Sequence, residues 1–280
     1  MASNYSVVGR YLFRALLAAC AICGVILIAA ALIARANTRT HVVTCRLVPD
    51  QGEPTPEMLS GTVALMRERM NRLARSHGVG KWSVELTPER MIQIRLRTRF
   101  DPKGLLFWVT MSARIQFHLV HPEGDILSRI SKDDLPKGYV LKVYHEVRYS
   151  ASRGGDLIVK EREYLVREEP AMRVSRLAGV EFSTAGLHKE TVLTFRFAQA
   201  EGDEFRDMTA LNLGRNLAML IDGELFFPPR QIDSALEGGV VQARGYFYNP
   251  PLRSLVSVLE GGPFPARVGR LEVASHEIEK

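Results

Sequence analysis

The chain has 280 residues, 46% of them hydrophobic, which is enough to bury one large core or two modest ones and too apolar for a disordered protein. Its 37 Lys and Arg against 31 Asp and Glu leave a formal charge of +6, yet ten of those bases fall between Arg67 and Lys103 with four acids among them. No basic cluster is interleaved with stacking aromatics, which argues against nucleic acid and leaves anionic lipid or a solvated surface as the readings of this basic face.

Residues 15–34 carry no charge and are bracketed by Arg10 and Arg14 on one side and by Arg35 and Arg39 on the other. As a helix at about 1.5 Å per residue this stretch covers the roughly 30 Å hydrocarbon core, so a single uncleaved membrane anchor is expected within residues 1–36. Two rival readings are removable signals: Ala34-Arg35-Ala36 has the form of a small-residue cleavage site, and Leu17-Ala18-Ala19-Cys20 that of a lipoprotein box. Both are weaker, because the stretch outruns a signal core and continues past Cys20. It contains no ionisable residue, so it cannot relay protons by itself. Three cysteines make no disulfide framework. Cys20 and Cys23 read as small apolar residues of the anchor, and Cys45 as unpaired.

A first strand is expected over 41–48, ending at the turn Pro49-Asp50-Gln51-Gly52. Thr55 then caps a helix with Pro56 and Glu57 in its first turn. Its apolar stripe is Leu59, Val63, Met66, Met70 and Leu73, its solvated face Arg67, Arg69, Arg72 and Arg75, and Gly78 closes it. Trp82, Val84 and Leu86 alternate with polar residues, as do Ile92, Ile94 and Leu96, which predicts an antiparallel pair with one wet face. A short helix over 101–111 and a strand at Ile115, Phe117 and Leu119 follow.

Between 119 and 178 the composition shifts. Pro122, Gly124, Pro136, Gly138 and Pro170 break up an insert in which Tyr139, Leu141, Val143, Val147 and Tyr149 alternate along one strand. That strand either pairs with 157–166 or offers an open edge to an extended peptide. Pro122, Gly124 and Pro170, at the two crossings, are candidate hinge residues, although such prolines also simply link elements. From Gly179 a second half is expected: strands at Val180 and Phe182 and at Leu193, Phe195 and Phe197, a helix over 203–215, and an apolar run 217–227. Asp222-Gly223 makes a type I′ turn within that run. A strand over 240–247 precedes a last helix capped by Asn249, which buries Leu252, Leu255, Val256 and Leu259. Helices on one face of a mostly antiparallel sheet make the fold class α+β.

The run 212–225, with its helix end, apolar strand and Asp222-Gly223 turn, resembles SecD, a subunit of the bacterial protein-export machinery. So do Pro228-Pro229 before Ile232, Glu237-Gly238-Gly239, Gly245-Tyr246-Phe247 and Leu259-Glu260-Gly261-Gly262-Pro263-Phe264-Pro265-Ala266, in the family's order. Earlier, 69–82 and 113–122 resemble the strands that lead into the family's head. The resemblance covers most of 57–272 and implies an N-terminal transmembrane helix, a ferredoxin-like base at 37–118 and 179–273, a small β-rich head at 119–178, and a tail at 274–280. Two departures stand out: the glycine pair after the family's first periplasmic strand is missing near Leu47-Val48-Pro49-Asp50, and the sequence runs to Lys280, short of the family's further membrane helices.

By resemblance, the expected role is that of a membrane-anchored accessory to protein export. It would sit in the cytoplasmic membrane with its bulk periplasmic, engage unfolded preprotein, and work with the translocation channel and a multi-span SecF- or SecD-like subunit. The alternative is an envelope adaptor or peptide-binding module with no transport role. An enzyme is not expected. His118 and His121, three apart on a strand, point to opposite faces and cannot chelate one metal as a pair, and no phosphate loop, nucleophile elbow or metal set appears. No cofactor is implied.

Overall fold

The computed structural model describes residues 39–276, apart from the short stretches 50–51, 124–125, 132–133, 151–155, 186–189, 246–248 and 270–271. The expected anchor at 15–34 lies outside the described residues, and none of the described helices is long and apolar enough to cross a membrane. In chain order the elements begin with β1 (Arg39–Cys45), β2 (Leu47–Val48), α1 (Pro56–Leu73), β3 (Lys81–Leu86) and β4 (Ile92–Thr98). Then come α2 (Lys103–Thr110), β5 (Ile115–Leu119), the hairpin β6 (Tyr139–Ser150) and β7 (Asp156–Arg167), and β8 (Met172–Val174). The last part comprises β9 (Leu177–Ala185), β10 (Glu190–Phe197), α3 (Gln199–Ala210), β11 (Asn216–Ile221), β12 (Glu224–Leu225), β13 (Arg230–Gln231) and β14 (Val240–Gly245). It closes with α4 (Asn249–Glu260), β15 (Arg267–Val268) and β16 (Glu272–His276).

The start of α1 follows its sequence signals. The Thr55 hydroxyl accepts from the Met58 N–H at 3.2 Å, and Pro56 occupies the first turn, where its missing N–H has no helical partner to lose. Leu59, Val63, Met66, Met70 and Leu73 are buried as the spacing predicts. Arg69 corrects the expectation of a uniformly solvated arginine face: it is 1% exposed, whereas Arg67, Arg72 and Arg75 are exposed. It lies three residues beyond Met66 and four before Leu73, so helical geometry puts it on the buried stripe whatever its charge.

The first sheet has the order β16-β1-β4-β3. Trp82 stands opposite Leu96, and Val84 opposite Ile94. Ile92, Ile94 and Leu96 are buried, while Arg95 on the other face is exposed, the half-wet pair that alternation predicts. The first strand is not continuous over 41–48: β1 joins this sheet, and Leu47 and Val48 leave it to pair with β15. With α1 after β1 and α4 before β16, the chain runs β, α, β, β, then α and β, around one four-stranded layer.

The strands between β4 and α4 build three other sheets: the path β12-β11-β5-β8 with β13 also on β11, the sheet β14-β10-β9, and the hairpin β6-β7. From β9 to β14 the strands therefore pair among themselves and with β5, and the chain returns to the N-terminal strands only at β15, on β2, and at β16, on β1. The boundaries expected at 118/119 and 178/179 fall within β5 and β9. Packing divides the molecule differently. One continuous core runs from Val43 and Met66 through Leu255 to Phe195 and Phe205, while the hairpin rests on a second cluster of Val120, Tyr144, Val166, Ala218, Leu220 and Leu225.

The helix expected over 203–215 is α3, which starts and ends earlier. Its N-cap Ala198 makes no side-chain cap bond, so the sequence offered no start signal there. At the other end Asn212 Nδ2 donates to Met208 O at 2.8 Å, and Gly214 at φ 76° turns the chain into β11.

Candidate functional site

The hairpin strand β6 is paired with β7 along its whole length, from Tyr139 opposite Arg167 to Ser150 opposite Asp156. The pairing with 157–166 weighed from the sequence is the observed one. Away from β7, the strand has no ladder partner among the described residues. The inward face is the even-numbered one: Val140 and Tyr144 pack on the second cluster. Of the alternating stripe, Tyr139, Leu141 and Val143 are half-buried, and the Tyr139 ring lies 4.7 Å from that of His121. Val147 and Tyr149 stand opposite Val159 and Leu157 in the register.

Backbone bonds clamp both crossings into the hairpin. His121 N donates to Leu165 O at 2.8 Å, Glu168 N to Gly138 O at 2.9 Å, and Ala171 N to Phe117 O at 2.8 Å. Pro122 is exposed and Pro170 half-buried beside these bonds, while Gly124 lies outside the described residues. Beneath the clamp sits His118, 5% exposed, with Nδ1 2.7 Å from Arg167 O and a buried Nε2 that has no partner. Because a carbonyl only accepts, Nδ1 carries the proton. Burial lowers this imidazole's pKa, and Lys142 and Arg173 nearby add to the effect against the Arg167 carbonyl and Glu169.

Asp222 and Gly223 form the expected turn, with φ of 53° and 84°, the left-handed pair a type I′ hairpin requires. The carboxylate does more than turn the chain. It accepts from Ala113 N at 3.0 Å and Arg114 N at 2.9 Å, pinning the β11–β12 turn to the start of β5. Ala113 itself sits at φ 62°.

A cavity of about 520 Å³ opens between β11 and β13 on one side and β14 on the other. Phe117, Phe205, Leu217, Met219, Phe227 and Ile232 form its apolar lining. Phe117 and Phe205 belong to a ring cluster with Phe197, with centroids 4.8 to 6.0 Å apart. Leu236 and Val240, 37% and 36% exposed, stand on its lip with Arg230, Asp233 and Arg244. Its β14 wall is an edge strand, paired with β10 alone among the described strands. On the facing wall, β13 covers Asn216 and Leu217 of β11 and β12 covers Leu220 and Ile221, leaving Ala218 and Met219 between them. An apolar floor beside an unpaired strand edge suits an extended peptide, whose backbone can add to the edge while its side chains enter the cavity. The sequence offered the strands at 217–227 and 240–247 but not their juxtaposition, which depends on two ladders far apart in the chain.

The family model for the SecDF P1 head subdomain matches residues 147–266, which include β11, β13, β14 and the cavity lining apart from Phe117. Protein translocase subunit SecD of Calditerrivibrio nitroreducens is 21% identical over 210 residues, covering 75% of this chain and 39% of that protein. SecD of Magnetococcus marinus is 25% identical over 210 residues, covering 75% and 38%. The chain thus spans about two fifths of the length of these curated relatives. Among solved structures, SecDF in a super-membrane-facing form superposes with a TM-score of 0.57 at 17% identity, over 85% of this chain and 30% of that one. A second SecDF, described as a membrane component that enhances protein export, gives 0.53 at 18% identity, over 86% of this chain and 99% of that one. In sequence the chain is similar to SecD and to the P1 head subdomain of SecDF, and in fold it is similar to SecDF.

Proposed function

We propose that the chain is a membrane-anchored, SecD-like accessory to protein export that holds unfolded preprotein on its extracytoplasmic face. The single observation that carries this reading is the apolar cavity beside the β14 edge, lined, apart from Phe117, by the part of the chain that matches the P1 head model. The relatives are translocase subunits, so the role is one of transport and not of enzymatic chemistry. The run β1, α1, β3, β4, α4, β16 with strand order β16-β1-β4-β3 supports a ferredoxin-like base, and the charge-free stretch 15–34 supports a single-pass anchor in the cytoplasmic membrane. The outer edge of β6, with Val143 at its middle, is a second, smaller peptide-accepting edge, and Pro122, Gly124 and Pro170 bound the segment that would swing. The translocation channel and a multi-span SecF- or SecD-like subunit are the partners this role needs.

The test places a photo-crosslinking residue at Val241, on the cavity wall, in the full-length chain in its own membranes. Crosslinks to a translocating secretory client are expected, with the channel recovered in a mild-detergent pull-down. Leu217→Asp, at a half-buried position on the cavity lining, should abolish the crosslinks at an unchanged melting midpoint. A folded, membrane-inserted chain with neither client nor channel moves the reading to an envelope adaptor that uses the same cavity.

A further inference from the structure

Three strands of the first sheet, β1, β3 and β4, share one end at which basic residues are concentrated. Arg39 stands opposite Thr98, and Lys81 opposite Arg97, so the start of β1, the start of β3 and the end of β4 lie side by side. Arg99 and Phe100 follow directly, and Lys103 opens α2. Arg39, Lys81, Arg99 and Lys103 are exposed and Arg97 is half-buried. Among the described residues between 75 and 103 the acids are Glu85 and Glu89, toward the opposite end at the β3–β4 turn, and Asp101, which lies 3.7 Å from Lys103. The basic end is also aromatic. Phe100 is 59% exposed, its ring resting where a side chain on Gly78 would have to be, and the Arg99 guanidinium lies 5.9 Å from the ring centroid. One turn along α2 from Lys103, Phe107 is 51% exposed against the edge of Trp108.

Neither feature serves the cavity, which other elements build. Both suit an anionic bilayer surface, where basic residues gain from the negative potential and aromatic rings from the interface. Sequence distance holds this end there. Arg39 is five steps from Ala34, the last residue of the charge-free stretch, and five steps reach at most about 18 Å fully extended. The headgroup layer is itself on the order of 5–8 Å thick, so a tether this short keeps the basic end within reach of the lipid headgroups.

We propose that the sheet end formed by Arg39, Lys81, Arg97, Arg99 and Lys103, with Phe100 and Phe107, lies against anionic lipid and sets the angle at which the domain stands on the membrane. This goes beyond the client-holding role, sharing its anchor but not its cavity. The full-length chain, with Cys20 and Cys23 changed to Ala, is incorporated into nanodiscs of phosphatidylcholine alone or mixed with phosphatidylglycerol. Cys45 is buried with its thiol pKa pushed up to about 12 by desolvation, so a nitroxide label goes to the introduced cysteine. Gly104→Cys is the reporter, because the position is exposed and a Cβ there meets nothing within 4 Å. Leu211→Cys, at a residue 85% exposed on the loop after α3, is the reference.

In anionic discs the label at 104 should lose access to a water-soluble nickel relaxer and gain access to oxygen, while the label at 211 stays nickel-accessible. The protection should vanish with Arg99→Glu plus Lys103→Glu, and at 1 M salt, where the screening length falls to about 3 Å. Equal accessibility in both lipids, or protection that survives charge reversal, overturns the proposal. So does protection seen only in native membranes, which assigns the patch to a protein partner. A chain that fails to incorporate removes the tether and overturns the proposal, while the crosslinking test of the cavity still reports on client binding.

Discussion

Arg69 on α1 donates through Nη2 to Gly262 O at 2.9 Å, joining residues 193 positions apart. The same guanidinium gives Nη1 to Met111 O and, at 3.4 Å, to Val109 O, and its Cζ sits 4.1 Å over the Phe264 ring. Its hydrogen-bond partners are carbonyls at the C-terminal ends of α2 and α4, where helix dipoles concentrate negative charge. Burial pulls its pKa down to about 10, which still leaves it charged at neutral pH. Two helix ends thus converge on one buried cation, and α1 is locked to the segment that leads into β5.

Removing that cation leaves several buried carbonyls without a donor. Arg69→Met should lower the unfolding free energy by about 2–4 kcal/mol, since hydrogen bonds to a charged group contribute about 1.5–3 kcal/mol each and an orphaned acceptor adds its desolvation. Arg69→Lys keeps the charge but lacks the planar fork, so its loss should be intermediate. Denaturant melts followed by circular dichroism give the ranking. A Met variant as stable as the parent would mean that water reaches these carbonyls.

Asp222 tests a turn against a clasp. If it only supplied left-handed backbone, Asn would replace it at little cost, because Asn tolerates that region. Its carboxylate also accepts two backbone N–H groups, so Asp222→Ala should destabilise by about 1–3 kcal/mol and Asp222→Asn by less. Thermal midpoints of the two variants, measured side by side, separate the contributions.

His118 makes the hairpin sensitive to acid. Its folded pKa lies below the ordinary value of 6.5 because burial opposes the cation, so the unfolded form binds the proton more readily. The stability it contributes is present above about pH 6.5 and is lost as pH falls below that value. Protonation would place an N–H on Nε2, where no acceptor waits. Limited proteolysis should cut the β6–β7 hairpin faster at about pH 5 than at about pH 7.5, and His118→Phe should remove the difference. An equal pH response in the Phe variant would move the effect to another group.

Gly202 pits helix propensity against packing. Alanine in a helix interior is favoured over glycine by about 1 kcal/mol, but a Cβ at Gly202 would stand 3.0 Å from the Gly239 Cα. Backbone yields less readily than a side chain, and overpacking costs about 1–3 kcal/mol. Gly202→Ala should therefore come out destabilising. It should also weaken Val241 crosslinking, because Gly239 leads directly into the β14 wall. A raised melting midpoint would show that the loop gives way freely.

Much of the local structure was legible in the residues. Thr55 and Pro56 announced α1, the alternation of Trp82 and Val84 with Ile94 and Leu96 announced a half-wet pair, and Asp222-Gly223 announced its turn. These signals are short-range, set by backbone conformation and by which side of an element meets water. The motifs at 212–225 and 259–266 also carried the likeness to SecD, since order along a chain is a property of sequence. Tertiary structure decided the rest. Spacing alone puts Arg69 on the buried stripe of α1, but its partners there arrive only when α2 and α4 bring their carbonyls around it. Asp222 reads as a turn until Ala113 and Arg114 arrive from more than a hundred residues away. The cavity exists only because β14 chose β10 and β11 chose β5, leaving an unpaired edge beside a cluster of phenylalanines. A strand's pattern states which face it buries. Its partner is settled by the packing of the whole chain, and in this protein the surfaces that bear on function lie between strands that settled with different partners.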